Sequence, residues 1–295
     1  MIKLVLSDMD ETLKRANEPL VPKRTLKAIT ALKEAGIDFG PATGRSAYDA
    51  LPFYGFDARY LQTAICGSGK VVYGKGALVA KRVLSAKTLE RILQVIARYK
   101  DTYLAYFDEG PAEPPLDVSI RPAWMIFGVT QAQVDYINAH YDSFTAAQGP
   151  NTVPHDKDFI SVGILAPQDQ LAREAMFDDV LTQIPEIDLV SPYTGWYDVN
   201  PKGFSKANGF KILLEYLNLT PDEVVFCGDS GNDLTLLELS PHSFCVGNGS
   251  DEAKAAATYT LNGTVDEEIV ARLMEALVAD GGDISGPHVQ ALIER

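Results

Sequence analysis

Basic residues are in short supply: 26 lysines and arginines stand against 40 aspartates and glutamates, a formal net charge of -14. That balance argues against a nucleic-acid or anionic-membrane partner, since either wants a basic face. An anionic small substrate would need local cationic help. Long apolar runs are also absent, and none approaches the roughly 20 residues that a membrane helix requires. Only Lys3 is charged ahead of Asp8, which is not a signal-peptide pattern, so the cytoplasm is the expected compartment. Cysteine is scarce: Cys66, Cys227 and Cys245 show neither an even count nor CxxC spacing. They read as small buried thiols in a reducing compartment. Internal repeats, low-complexity tracts and long linkers are missing too.

What is present is enough for a sizeable core. The chain has 295 residues, 46% hydrophobic and 22% charged, a length that suggests two domains. A βαβ rhythm opens with a strand at Ile2 to Leu6, a helix near Lys23 to Ala35, a strand at Ile37 to Pro41 and another near Leu61 to Cys66. It resumes with a helix from Ser205 to Leu217, a strand at Val224 to Cys227, a helix from Asn232 to Leu239, a strand at Phe244 to Val246 and closing helices through Ala279. The pattern predicts an α/β fold, a Rossmann-like doubly wound parallel sheet covered by helices. Between the two parts the pattern is α+β. Helices are predicted at Ser85 to Tyr99, Gln131 to Tyr141 and Gln168 to Gln183, and strands at Tyr103 to Phe107, Val118 to Ile120, Ile160 to Leu165 and Ile187 to Val190. A proline-rich turn holds Pro111, Pro114 and Pro115. The expected division is a core of residues 1–83 and 194–295 with an inserted domain of residues 84–193.

Directly behind the first apolar run stands Asp8-Met9-Asp10-Glu11-Thr12-Leu13. Side chains two apart on an extended chain share a face, so Asp8 and Asp10 can share a site at a strand's C-terminal end. One carboxylate can attack while the other handles protons. Three further polar clusters lie at predicted strand ends or helix starts: Thr43-Gly44-Arg45, then Lys202 or Lys206, then Gly228-Asp229-Ser230-Gly231-Asn232-Asp233. In a parallel sheet all strand C-termini lie on one edge, so these clusters converge.

Asp8, Asp229 and Asp233 offer three carboxylates, a hard-oxygen set suited to Mg²⁺. Ser230 and Asn232 are further candidates in the same turn. Thr43 and the Gly44 amide supply donors for phosphate oxygens at a helix start, with Arg45 beside them. Lys206 begins a predicted helix, where a cation opposes the positive helix end and so asks for an anionic partner. Lys202 is its competitor. Each cluster also has a plainer reading: GDSGND as a surface turn, Thr43 as a helix cap, Arg45 and the lysines as solvated charges.

DMDETL, ATGR at Ala42 to Arg45, the lysine in PKGFSKANGFKIL and GDSGND, in that order, resemble the four motifs of the haloacid dehalogenase-like (HAD) superfamily. The placement of the insertion and the tail NGSDEAKAAATYTLNG look like its Cof-type branch with a C2B-type α+β cap. The resemblance implies a Mg²⁺-dependent phosphatase of small phosphate esters, sugar phosphates above all, with Mg²⁺ as cofactor and no nucleotide. It implies Asp8 as the nucleophile forming an aspartyl phosphate and Asp10 as general acid and base. Thr43 would hold the phosphoryl group and Lys206 neutralise it. Asp8, Asp229, Asp233 and the Asp10 carbonyl would serve the metal. The cap would close over the site, exclude water and choose the leaving group.

Two positions depart from the family pattern: Glu11 where glycine is usual, and Cys66-Gly67 where Asn-Gly is common. A phosphomutase on the same core is the alternative activity, and a phosphate-binding regulator without turnover is a third. Within the insertion, His155 and Lys157 in the loop Asn151 to Asp158, with Arg121 and Trp124, are candidate substrate-facing residues. The sequence leaves the physiological substrate and the oligomeric state open.

Overall fold

The computed structural model describes residues 1–140 and 145–294. Two compact units divide the chain. The first comprises Met1–Lys81, Ala112–Val118 and Ser205–Arg295, and the second Arg82–Pro111 and Ser119–Phe204. The sequence boundary expected after residue 193 falls instead after Phe204, because the strand Trp196–Pro201 pairs with Ile187–Tyr193 and Val162–Leu165 of the second unit. The segment Ala112–Val118 clusters with the first unit, where the Tyr73 hydroxyl donates to the Ala112 carbonyl at 2.8 Å and Lys81 pairs with Glu113.

The first unit is built on a five-stranded sheet in which the strands Tyr259–Thr260, His242–Cys245, Val224–Gly228, Leu4–Ser7 and Asp38–Pro41 lie in that spatial order. All its pairings are parallel. The interior strands Val224–Gly228 and Leu4–Ser7 are apolar because both their faces are covered. Leu4 and Leu6 pack with Phe210, Leu213, Leu236 and Leu237 from the helices Lys206–Leu217 and Leu234–Leu239. Val5 and Val225, on the other face, are equally closed to solvent. Each such side chain contributes about 1.5–3 kcal/mol by leaving water, so the sheet's middle is held firmly beneath the loops at its edge. A three-stranded antiparallel sheet, Ala64–Cys66, Val71–Gly74 and Ala77–Lys81, joins through a bridge between Ala42 and Ile65.

The second unit holds a six-stranded sheet ordered Ile187–Tyr193, Trp196–Pro201, Val162–Leu165, Tyr103–Asp108, Ala123–Ile126 and Ala146–Gln148. Its pairings are antiparallel except the last. Leu104, Tyr106 and Ile164 on one face pack with Leu89, Ile92, Met176 and Val180 of the helices Ala86–Ile96 and Gln170–Gln183. The architecture is therefore α/β beside α+β, as the sequence pattern predicts. One element moves: Val118 to Ile120 is turn, and the strand falls at Ala123–Ile126, which pairs with Tyr103–Asp108. The predicted helix near Gln131 closes at His140, and Tyr141 lies outside the described residues.

Candidate active site

The edge of the parallel sheet gathers the polar residues. Ser7 stands opposite Cys227 in the central pairing, and the Asp8 amide continues the ladder by donating to the Cys227 carbonyl at 2.8 Å. Asp8 and Asp229 thus leave adjacent strands side by side. On the other flank the Ala42 amide donates to Ser7 and the Thr43 amide to Ile65, both at 2.8 Å, which carries Thr43 to the same edge. Lys206 is the first residue of its helix, behind a Ser205–Asn208 capping box. Gly69, in a left-handed conformation, lies where any side chain would collide with the Ser205 carbonyl, so its bare backbone lets that helix start come close.

The Lys206 ammonium has no solvent exposure and lies 2.7 Å from both Asp8 Oδ1 and Asp233 Oδ1. Burial opposes its charge, but the Asp233 and Asp8 carboxylates prevail and raise its pKa. The carboxylates are less well served. Burial raises the Asp8 pKa despite Lys206, and Asp233 and Asp229 push the same way. Burial, followed by the charge of Asp233, pushes Asp229 up to about 6, although the Thr12 hydroxyl donates to its Oδ1 at 2.7 Å. Asp233 turns its second oxygen to the amides of Asp229 and Ser230, at 3.1 and 3.3 Å. A Cβ on Gly228 would lie 2.7 Å from the Asp233 carboxyl carbon, so glycine makes room for this return.

Asp10 belongs to a different pairing. Its carboxylate accepts from Arg45 Nε at 2.7 Å, Arg45 Nη2 at 3.2 Å and Lys14 Nζ at 3.0 Å. Burial works against ionisation, yet the Arg45 and Lys14 charges hold its pKa below the ordinary range. Arg45, expected among the phosphate-holding groups, has its guanidinium occupied by Asp10 and Asp49. It orders the carboxylate instead.

The Thr43 hydroxyl accepts from the Arg45 amide at 3.1 Å, which leaves its own proton for a ligand. Thr43 and Gly44 precede the helix start: the short helix Ala47–Ala50 begins later and is capped by Ser46. The donors there are consequently a bend's, not a helix end's. The departure at Cys66-Gly67 is local. Cys66 is buried, while the Gly67 and Ser68 amides donate to the Arg45 and Thr43 carbonyls at 2.8 and 3.0 Å and buttress this bend. All three cysteines are buried and none forms a disulfide.

Glu11 adopts φ 60°, and its exposed carboxylate accepts from the Ala16 amide at 2.7 Å. The Ser230 hydroxyl donates to Asn232 Oδ1 at 3.2 Å within the GDSGND turn. Lys202 lies in the second unit, where Asp188 holds its ammonium at 2.5 Å, so it does not compete with Lys206 for Asp8. His155 meets Glu90 at 2.9 Å, Lys157 pairs with Asp108, and Arg121 donates to the Ile120 carbonyl at 3.1 Å. Trp124 packs edge-on against Trp196 with ring centroids 4.8 Å apart. Sequence reasoning passed over two residues that bond to this cluster: Thr12, whose hydroxyl meets Asp229 and whose signal is its place four residues after Asp8, and Lys14, which meets Asp10 and whose burial no sequence pattern announces.

Carboxylate oxygens of Asp8, Asp229 and Asp233 lie within 4.8 Å of one another. Opposite ligands of Mg²⁺ are about 4.2 Å apart, so a small inward adjustment would place the set around one ion. The charges agree with the geometry. Three carboxylates share one ammonium, and the raised pKa values of Asp8 and Asp229 show that Lys206 does not satisfy them all. A divalent cation would meet that demand.

Comparison with known proteins fits this arrangement. Residues 5–274 match the haloacid dehalogenase-like hydrolase family model, and the chain belongs to that family. Among its relatives, the 5-amino-6-(5-phospho-D-ribitylamino)uracil phosphatase YbjI of Escherichia coli is 24% identical over 270 residues, covering 88% of this chain and 90% of that protein. Among solved structures, the HAD phosphatase BT1666 of Bacteroides thetaiotaomicron aligns with TM-score 0.74 at 22% identity over 96% of both chains. The subclass IIB sugar phosphatase BT4131 aligns with TM-score 0.70 at 18% identity, over 92% of this chain and 98% of that one. These likenesses carry the fold. No helix among the described residues is long and apolar enough to cross a membrane.

Proposed function

We propose that this hydrolase is a Mg²⁺-dependent phosphatase of small phosphorylated metabolites, sugar phosphates foremost, acting through an aspartyl phosphate on Asp8. The observation that carries the reading is a buried Asp8 held 2.7 Å from Lys206 beside Asp229 and Asp233. Phosphoryl transfer asks mainly for positioning and charge neutralisation, which such a cluster supplies.

An Asp8 oxygen attacks phosphorus, the bond to the leaving oxygen breaks, and that oxygen takes a proton relayed by Asp10, whose carboxylate, held ionised by Arg45 and Lys14, first receives it from the phosphate monoester. Water then attacks the phosphoryl group, its bond to Asp8 breaks, and the water's proton passes by way of Asp10 to the departing phosphate, which restores both residues. The Thr43 hydroxyl and Gly44 amide hold phosphoryl oxygens, and Lys206 offsets negative charge at Asp8. Asp8, Asp229 and the Asp10 carbonyl would hold Mg²⁺, with Asp233 bound directly or through water, and the ion would supply neutralisation of the phosphoryl oxygens. The second unit serves in this reading as the cap that selects the leaving group. YbjI and BT4131, whose names give phosphorylated small molecules or sugar phosphates as substrates, lend support.

The test is phosphate release from a panel of sugar phosphates and one aryl phosphate, with Mg²⁺ or with chelator, for the wild type and Asp8→Asn. Metal-dependent release lost in the variant is expected. Release that survives Asp8→Asn would overturn the nucleophile assignment, and release that appears only with added sugar bisphosphate would make the enzyme a mutase.

A further inference from the structure

Lys14 is one of the largest side chains in the protein with no exposure to solvent. A buried ammonium must give each of its protons a partner, and Lys14 has three acceptors: Asp10 Oδ1 at 3.0 Å, the Arg15 carbonyl at 2.8 Å and the Ala16 carbonyl at 3.4 Å. The backbone closes around it. The Leu13 and Lys14 amides both donate to the Met9 carbonyl at 2.9 Å, and the Glu11 amide donates to the Lys14 carbonyl at 2.7 Å. Beneath lies Phe53, whose ring centre is 4.2 Å from Lys14 Nζ and 4.5 Å from the Arg45 guanidinium carbon. One aromatic face therefore supports two cations that meet at the Asp10 carboxylate: Lys14 bonds Oδ1 at 3.0 Å, while Arg45 bonds Oδ2 at 2.7 Å and Oδ1 at 3.2 Å.

We propose that Lys14 is a positioning residue for Asp10: resting on Phe53, it fixes the angle at which that carboxyl group faces the leaving oxygen of the substrate. Arg45 grips both oxygens, Nε on Oδ2 at 2.7 Å and Nη2 on Oδ1 at 3.2 Å, and so sets the carboxylate plane from one side only. Lys14 supplies the second anchor from inside the fold. It also faces the negative charge that appears on Asp10 as the proton leaves. The inference rests on the phosphatase reading, in which the bond from phosphorus to the leaving oxygen breaks and the Asp10 proton passes to that oxygen. Its mark is selectivity. In the step that forms the aspartyl phosphate, an alkyl ester, whose alkoxide must be protonated to depart, depends on well-placed Asp10, whereas an aryl ester, whose phenolate leaves readily, does not; hydrolysis of the intermediate is common to both.

The deciding experiment compares kcat and KM for para-nitrophenyl phosphate and for the best alkyl phosphate of the panel, in wild type, Lys14→Met and Phe53→Leu. Lys14→Met is expected to lower kcat/KM on the alkyl ester by about tenfold or more, with aryl kcat/KM nearly unchanged, because kcat/KM reports the step in which the leaving oxygen departs. Phe53→Leu, at a half-buried position that tolerates the change, is expected to shift the alkyl-to-aryl ratio the same way by about twofold or more. It decides the question alone if Lys14→Met does not fold. Equal losses on both esters, or an unchanged ratio in Phe53→Leu, would overturn the inference and leave Lys14 as a staple of its loop. Wild type that released phosphate from neither ester would instead remove the phosphatase reading, and this inference with it.

Discussion

Thr12 donates its hydroxyl proton to Asp229 at 2.7 Å, although 217 positions separate them in the chain. Both are buried. The bond ties the loop after Leu4–Ser7 to the loop after Val224–Gly228, and it opposes the burial that lifts the Asp229 pKa. It engages Oδ1 of Asp229, so the other oxygen can turn to a cation.

Thr12→Val removes that donor while keeping the shape. The Mg²⁺ concentration for half-maximal phosphate release should rise by about tenfold or more, as for other groups that orient a metal ligand. A Mg²⁺ titration of the variant checks this, and an unchanged midpoint would detach Thr12 from the metal.

The acidic cluster sets a pH dependence. Asp229 titrates at about 6 in the folded protein, and burial is the leading cause. An unfolded aspartate titrates near 4. Where the folded pKa is the higher one, the folded chain keeps a proton that the unfolded chain releases, so the metal-free protein loses stability as pH rises from about 4 to about 6. Asp8 has the same sign. Asp10, lowered by Arg45 and Lys14 against the opposing effect of burial, contributes the reverse: stability present above the unfolded value and lost on acidification. Binding of Mg²⁺ needs the ionised cluster. The rise in melting temperature with Mg²⁺ over chelator should therefore be small near about pH 5 and large near about pH 7.5. Equal shifts at both would contradict the assignment.

Lys206→Met strands two buried carboxylates. A loss of about 3–5 kcal/mol is expected in urea unfolding with chelator, since breaking a buried pair costs far more than replacing it whole. Adding Asp233→Asn should restore part of that loss without restoring turnover. If the double variant were less stable than the single, the Lys206–Asp233 contact would not be the source.

Glu11 occupies a left-handed conformation that glycine accepts without strain. Its carboxylate is turned to the Ala16 amide. Glu11→Gly should leave kcat/KM within about twofold and stability within about 1 kcal/mol, measured by steady-state kinetics and thermal melting. A large gain in rate would show that the Glu11 charge reaches the phosphate after all.

The convergence of Asp8, Thr43, Lys206 and Asp229 was legible in sequence, since parallel strands must present their C-terminal ends on one edge. The partners of those groups were not. Lys14 is an inward-facing cation in a loop, where hydrophobic periodicity says nothing, and Arg45 chose Asp10 over solvent or ligand. Among the elements, the hairpin of Val71–Gly74 and Ala77–Lys81 escaped notice because Lys75-Gly76, with φ 50° and 80°, makes its tight turn without the Asn-Gly or Asp-Gly signal. Trp196–Pro201 escaped because the turn Thr194-Gly195 that joins it to Ile187–Tyr193 also lacks the Asn-Gly or Asp-Gly signal. Val118 to Ile120 looked extended by composition, but the register that pairs with Tyr103–Asp108 belongs to Ala123–Ile126.

The strand pairing has a consequence for synthesis. Leu4–Ser7 is an interior strand, fourth of the five in its sheet, and its partner on one side is Val224–Gly228. At a translation rate of about 5–20 residues per second, the first strand waits roughly ten seconds or longer for that neighbour to emerge. Meanwhile every strand of the second unit, from Tyr103 to Pro201, has left the ribosome. A message cut short after Phe204 would therefore yield a chain whose apolar first strand keeps one open edge, a template for pairing with other chains.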